Sequence, residues 1–123
     1  MRPNRMVLAA LACVTVLQSV AANCQDGVVT PSDISANPDK FDGKHVRVRG
    51  YVVITSHSRN IFDSKQGSKD SRGVCLGLYG SKSFVVPARK KMEIVSGTYR
   101  KVLCGPNDVC LYWCSASGIE VDH

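Results

Sequence analysis

The sequence predicts an all-β protein, a small antiparallel barrel stapled by disulfide bonds, with one or two short helices. Three observations lead there. The stretch "HVRVRGYVVIT" alternates apolar residues with basic and aromatic ones, the period of two expected of a strand with one face buried. The segments "KHVRVRG" at 44–50 and "KMEIVSG" at 91–97 both read lysine, three residues, valine, one residue, glycine, and each runs on into a tyrosine-containing strand. Two long strands bent by glycine at equivalent places are what a closed barrel needs at its corners. Finally, Cys24, Cys75, Cys104, Cys110 and Cys114 all lie beyond the first 22 residues of a 123-residue chain, and so small a domain gains from crosslinks in an oxidising compartment.

Residues 1–22 read as a signal peptide. Arg2 and Arg5 precede the apolar run "MVLAALACVTVLQSVAA", and both Ser19-Val20-Ala21 and Val20-Ala21-Ala22 fit a small-residue cleavage site. The apolar core is too short and wrongly flanked to span a bilayer. The folded domain is therefore expected at 23–123, periplasmic or secreted. The alternative is a lipid-anchored form with Cys24 acylated, the one route by which this chain would meet a membrane, although Asn23 stands where such signals normally carry Gly, Ala or Ser. Loss of Arg2 and Arg5 lowers the formal charge from +6 to +4, which suits approach to acidic proteins, envelope surfaces or anionic glycans.

In "TPSDISANPDKFDGK", Thr30 supplies a hydroxyl cap, Pro31 a first helical position and Asp33 a carboxylate near the positive helix end. Pro38 limits this helix to about two turns. Asp42-Gly43 then turns the chain into the first long strand. There Val46, Val48, Val52 and Ile54 share one parity with Gly50 and face the core, while His45, Arg47, Arg49, Tyr51 and Val53 face outward. "NIFD" and "VCLGLYG" read as the next two strands, separated by the polar loop 64–73 with Lys65, Lys69 and Arg72. Pro87 ends a short strand at 83–86, and Ala88 to Met92 is expected to form a helical turn. The last two strands are expected in "IVSGTYRKVL" and "VCLYWC".

Cys104 and Cys110 bracket the turn-rich "GPNDV" and are expected to clip that final hairpin, leaving Cys75 to pair with Cys114. Other connectivities stay open, and Cys24 is left odd. Zinc is the weaker explanation, because C-x5-C-x3-C lacks a C-x2-C knuckle and no histidine lies near in sequence except His123. Tyr112 and Trp113 fall on opposite faces of the expected last strand, one filling the core and the other facing out.

The order of elements resembles an OB-fold, a five-stranded antiparallel barrel. More narrowly, Asn37, Pro38, Phe41, Gly43, Lys44, Val46, Val48 and Gly50 match an N-P-x-x-[FY]-x-G-K-x-V-x-V-x-G segment. In this the chain is similar to a group of small exported bacterial proteins in which that segment leads into an OB-like barrel. The resemblance implies fold and compartment and carries over no catalytic residue.

No enzyme and no cofactor are expected. His45, His57 and His123 show no ligand or dyad spacing, Asp26, Asp33, Asp39 and Asp42 fall in turns and caps, and no glycine-rich phosphate loop is present. OB barrels bind single strands by stacking bases on aromatics while basic residues track phosphates, and Arg47, Arg49, Tyr51, Phe62 and Tyr79 are the candidates for such a face. Export removes the usual nucleic-acid ligand. The expected partner is a protein or an envelope component, in an inhibitor-like or assembly role, with oligosaccharide or single-stranded nucleic acid as the alternative.

The parity assignment yields a test. Replacing Arg47 and Arg49 together by Ser is expected to leave thermal melting by circular dichroism nearly unchanged, whereas Val48→Asp is expected to abolish folding by burying an unpaired charge.

Overall fold

Eleven residues of alternating pattern cannot lie flat against a core this small, so the longest strands must be shared between neighbours. The computed structural model describes residues 27–70, 73–80 and 87–122. The expected signal peptide, Cys24, Arg72, His123 and the short strand at 83–86 lie outside these residues. The elements run β1 (Val28–Val29), α1 (Pro31–Ala36), α2 (Pro38–Phe41), β2 (His45–Thr55), β3 (Ser58–Phe62), α3 (Lys65–Lys69), β4 (Cys75–Tyr79), β5 (Arg89–Arg100) and β6 (Gly118–Val121).

Strand β2 pairs with β5 along ten antiparallel positions, from His45 opposite Thr98 to Ile54 opposite Arg89. Its second half also pairs with β3, from Tyr51 opposite Phe62 to Thr55 opposite Ser58. The ladder continues β3–β4–β6–β5 and returns to β2, closing a five-stranded OB-like barrel, with β1 as an extra strand beside the first half of β2. Two pairings are parallel rather than antiparallel: β1 with β2, and β4 with β6. The second follows from topology, because β6 is the last strand and must fill the gap between β4 and β5.

Val46, Val48, Val52 and Ile54 point inward as their parity requires, and meet Ile61, Leu76, Leu78, Val95, Tyr99 and Ile119 in one core. Burial pushes the Tyr99 phenol above the usual tyrosine range, with a Ser117 hydrogen bond acting the other way. Helix α1 closes one end by burying Ile34 completely. It begins as expected: the Thr30 hydroxyl accepts from Asp33 N at 3.2 Å, and Asp33 Oδ2 accepts from Thr30 N at 2.9 Å, a reciprocal box. Asp63, at the end of β3, accepts from the Ser32 backbone at 2.9 Å and from its hydroxyl, tying the helix to the barrel. Gly43 turns into β2 with φ of 76°.

Three local expectations differ from what the structure shows. Arg89 to Met92 is strand, not a helical turn, because each residue pairs with β2 between Tyr51 and Ile54. A third short helix, α3, forms in the polar loop after β3, capped by the Ser64 hydroxyl on Gly67 N at 3.0 Å. "VCLYWC" is not a strand. Its residues belong to an irregular loop between β5 and β6, with Tyr112 at φ of 81°, and the final strand is "GIEV" instead.

The bent strands are bent where foreseen. A Cβ on Gly50 would lie 2.5 Å from the Phe62 carbonyl oxygen, and one on Gly97 only 2.2 Å from that of Glu120. Gly97→Ala must therefore push β6 backbone away from β5. It is expected to cost about 1–3 kcal/mol in urea unfolding, while Ser96→Ala beside it should stay within about 0.5 kcal/mol of the parent.

Candidate binding face

The outward parity of β2 places Arg47, Arg49, Tyr51 and Val53 in one row on the barrel's exterior. Register then decides their neighbours. Tyr51 stands opposite Phe62 on β3 and opposite Met92 on β5, so an aromatic and aliphatic row, Met92–Tyr51–Phe62, crosses three strands. Ile94 lies opposite Arg49, Lys90 opposite Val53 and Ser96 opposite Arg47. Met92 is 51% and Ile94 39% exposed, so both apolar side chains are open to a partner on this face. Arg47 also lies beside Val28 of β1. Helix α3 rises next to this face, and Lys65, Ser68 and Lys69 enclose with Tyr51, Val53 and Lys90 a concavity of about 380 Å³.

Four of the five residues picked from the sequence, Arg47, Arg49, Tyr51 and Phe62, thus share one surface. Tyr79 does not join them. It packs edge-on against Trp113, ring centres 5.6 Å apart, in a separate concavity with Leu103, Val109, Cys110 and Glu120. Met92 and Lys90 were hidden by the expected helical turn, while Ile94 opened the strand expected after it. Extending the period of two backwards from Ser96 through Ile94, Met92 and Lys90 is the signal that finds them.

The outer surface of β3 and β4 is occupied by the chain itself. Disulfides Cys75–Cys114 and Cys104–Cys110 hold the β5–β6 loop, with Cα separations of 6.3 and 6.1 Å. Both bridges are compatible with an oxidising environment. Trp113 lies on Gly77, where a Cβ would come within 3.0 Å of its ring, and donates its indole N–H to the Leu78 carbonyl at 3.2 Å. Trp113 is therefore packed on the outside of the barrel, correcting the expectation that it or Tyr112 fills the core. Asn60, 6% exposed, pins the loop from below. Its amide nitrogen donates to the Tyr112 carbonyl at 3.0 Å and to the Ser58 hydroxyl at 2.9 Å, and its oxygen accepts from Cys114 N at 2.8 Å. The loop's start is anchored by Lys101, whose ammonium reaches Asp39 at 2.7 Å, a contact that raises its pKa above the ordinary lysine value.

Elsewhere the polar contacts are ordinary. His45 pairs with Asp122 at 2.6 Å in an exposed setting, which adds little stability. Ser56 and His57 share a hydrogen bond of 2.8 Å within the exposed β2–β3 turn.

No protein-family model matches the chain, and no curated protein or solved structure matches it either. The geometry of the face carries the functional reading.

Two variants test the covering loop. Loss of Cys75–Cys114, which spans 39 residues, is expected to cost about 4 kcal/mol, and loss of Cys104–Cys110, spanning 6, about 2 kcal/mol, in guanidinium titrations of the Ser double variants. Asn60→Ala strands the Cys114 amide and should cost about 1–3 kcal/mol, with faster amide exchange in the loop than in β2.

Proposed function

We propose that this chain is an exported, non-enzymatic binding module that recognises an acidic protein or cell-envelope component through the outer face of β2, β3 and β5. One observation carries the reading: the apolar row Met92–Tyr51–Phe62 lies between Arg47 and Arg49 on one side and Lys90 on the other. Apolar and aromatic anchors ringed by long cationic side chains are the composition of a recognition patch, with the anchors excluding water and the cations selecting an acidic counterpart. The cationic start and apolar core of residues 1–22, together with two disulfides, support export.

The position of the cysteine loop bears on the choice of ligand. OB barrels that take oligonucleotides or oligosaccharides use the face of their second and third strands and the loops around it. Here those strands are β3 and β4, and Trp113, Tyr112 and Cys114 cover them. A single strand threading across that face would have to displace a disulfide-tied loop, which favours the β2–β5 side as the surface for a partner.

Crosslinked affinity capture with the tagged chain, from the envelope and culture fluid of its native host, tests the reading. One dominant component is expected, lost or weakened at least tenfold when Arg49 and Met92 are replaced by Ser, and weakened in 0.5 M salt relative to 0.05 M salt by screening of roughly a Debye length. Capture that is unchanged by both substitutions, or tighter binding to a single-stranded oligonucleotide than to any captured component, overturns it.

A further inference from the structure

Within the outer face, the concavity beside Tyr51 has a composition of its own. Its floor is the β2 strand at Tyr51 and Val53, one wall is helix α3 with Lys65, Ser68 and Lys69, and the other is Lys90 of β5, directly opposite Val53. Three lysines, and no Asp or Glu, are among the residues that line a volume of about 380 Å³, a size in the range of small-ligand pockets. Lys65 and Lys69 are spaced i, i+4 and project from the same side of α3, an arrangement of like charges that weakens a helix. Among the described residues no ion pair joins any of the three lysines to a carboxylate: Asp63 holds Ser32, Glu93 is taken by Arg89 and Lys91, and Asp70, which follows Lys69, has a contact of its own. Like charges set around one hollow raise the local positive potential and favour an anion there.

The distribution of the charge narrows the class. The lysines come from a helix and from a strand and line one hollow, rather than following a line across the sheet. A polymer of phosphodiesters carries one charge per unit and needs a track of cations. A terminal phosphomonoester places about −1.5 to −2 charges and three acceptor oxygens at one point, and lysine serves as a point-charge partner for such a group. The floor is an aromatic ring and a valine, a flat apolar surface suited to the C–H face of a sugar.

We propose that Lys65, Lys69 and Lys90 over Tyr51 form a binding site for a phosphorylated sugar, with the phosphomonoester among the lysines and the ring against Tyr51. This deepens the recognition reading above, since Tyr51 belongs to both. The sugar phosphate can be a free molecule or the end of an envelope glycan, and the chemistry recognised is the same.

The test is titration of the isotope-labelled full chain with mannose 6-phosphate, followed by amide shifts and calorimetry, beside mannose, inorganic phosphate, a pentamannoside ending in mannose 6-phosphate and a single-stranded thymidine oligonucleotide. Shifts are expected at Tyr51, Lys65, Lys69 and Lys90. Each of Lys65→Gln, Lys69→Gln and Lys90→Gln should weaken binding about tenfold without moving the melting temperature downward. Tyr51→Ala should bring mannose 6-phosphate down to the affinity of inorganic phosphate. Tighter binding of the pentamannoside supports the site as one for a glycan end, and equal binding supports it as one for the free sugar phosphate. Absence of shifts, equal affinity for inorganic phosphate in the parent chain, unchanged affinity in the lysine variants, or tighter binding of the oligonucleotide overturns the proposal. A chain that captures its envelope partner yet binds no mannose 6-phosphate loses this pocket and keeps the face. A chain that binds the sugar phosphate and captures nothing keeps the pocket and loses the wider reading.

Discussion

Closure of this barrel depends on two points where backbone must touch backbone. At Gly50 the end of β3 crosses over β2, and at Gly97 β6 crosses over β5, in both cases closer than any side-chain carbon tolerates. Those contacts let β2 and β5 each serve two neighbours, and the ten-pair ladder between them then fixes which residues face in. Everything else in the fold is arranged on that frame. The core valines, the outer arginines and the position of Tyr51 opposite both Phe62 and Met92 all follow from it.

The barrel was legible in the sequence because its signals are local and repeated. Parity along "HVRVRGYVVIT" identified the core face of β2, the glycine spacing marked the bends, and Thr30, Pro31 and Asp33 marked the helix start. The cysteine pairing was legible from spacing and turn residues. What misled was intrinsic preference without its partner strand. "RKKM" suits a helix in isolation, but hydrogen bonds offered by β2 outweigh a few tenths of a kcal/mol of propensity per residue. "VCLYWC" looks like a strand by composition, yet it is β6 that takes the place between β4 and β5.

The candidate face was legible only in part for the same reason. Arg47, Arg49 and Tyr51 come from one strand, so their common side is a matter of counting. Met92 and Lys90 join them through register across a gap of some forty residues, and Lys65 and Lys69 through the packing of a five-residue helix. Neither relation is encoded by periodicity within a single segment. Tyr79 was grouped with the others because β4 was expected to share an open surface with β3, and the loop that covers both strands announced itself only as a pair of disulfides.

That loop has a bearing on how the molecule matures. Cys75 lies on β4, and its bond to Cys114 brings the neighbouring Trp113 down onto Gly77. The strip of β3 and β4 beneath carries Gly77 and the buried Asn60, and the loop supplies its cover. Oxidation therefore shapes a surface as well as adding a crosslink: the same chemical event that ties the chain also seats Trp113 against β4.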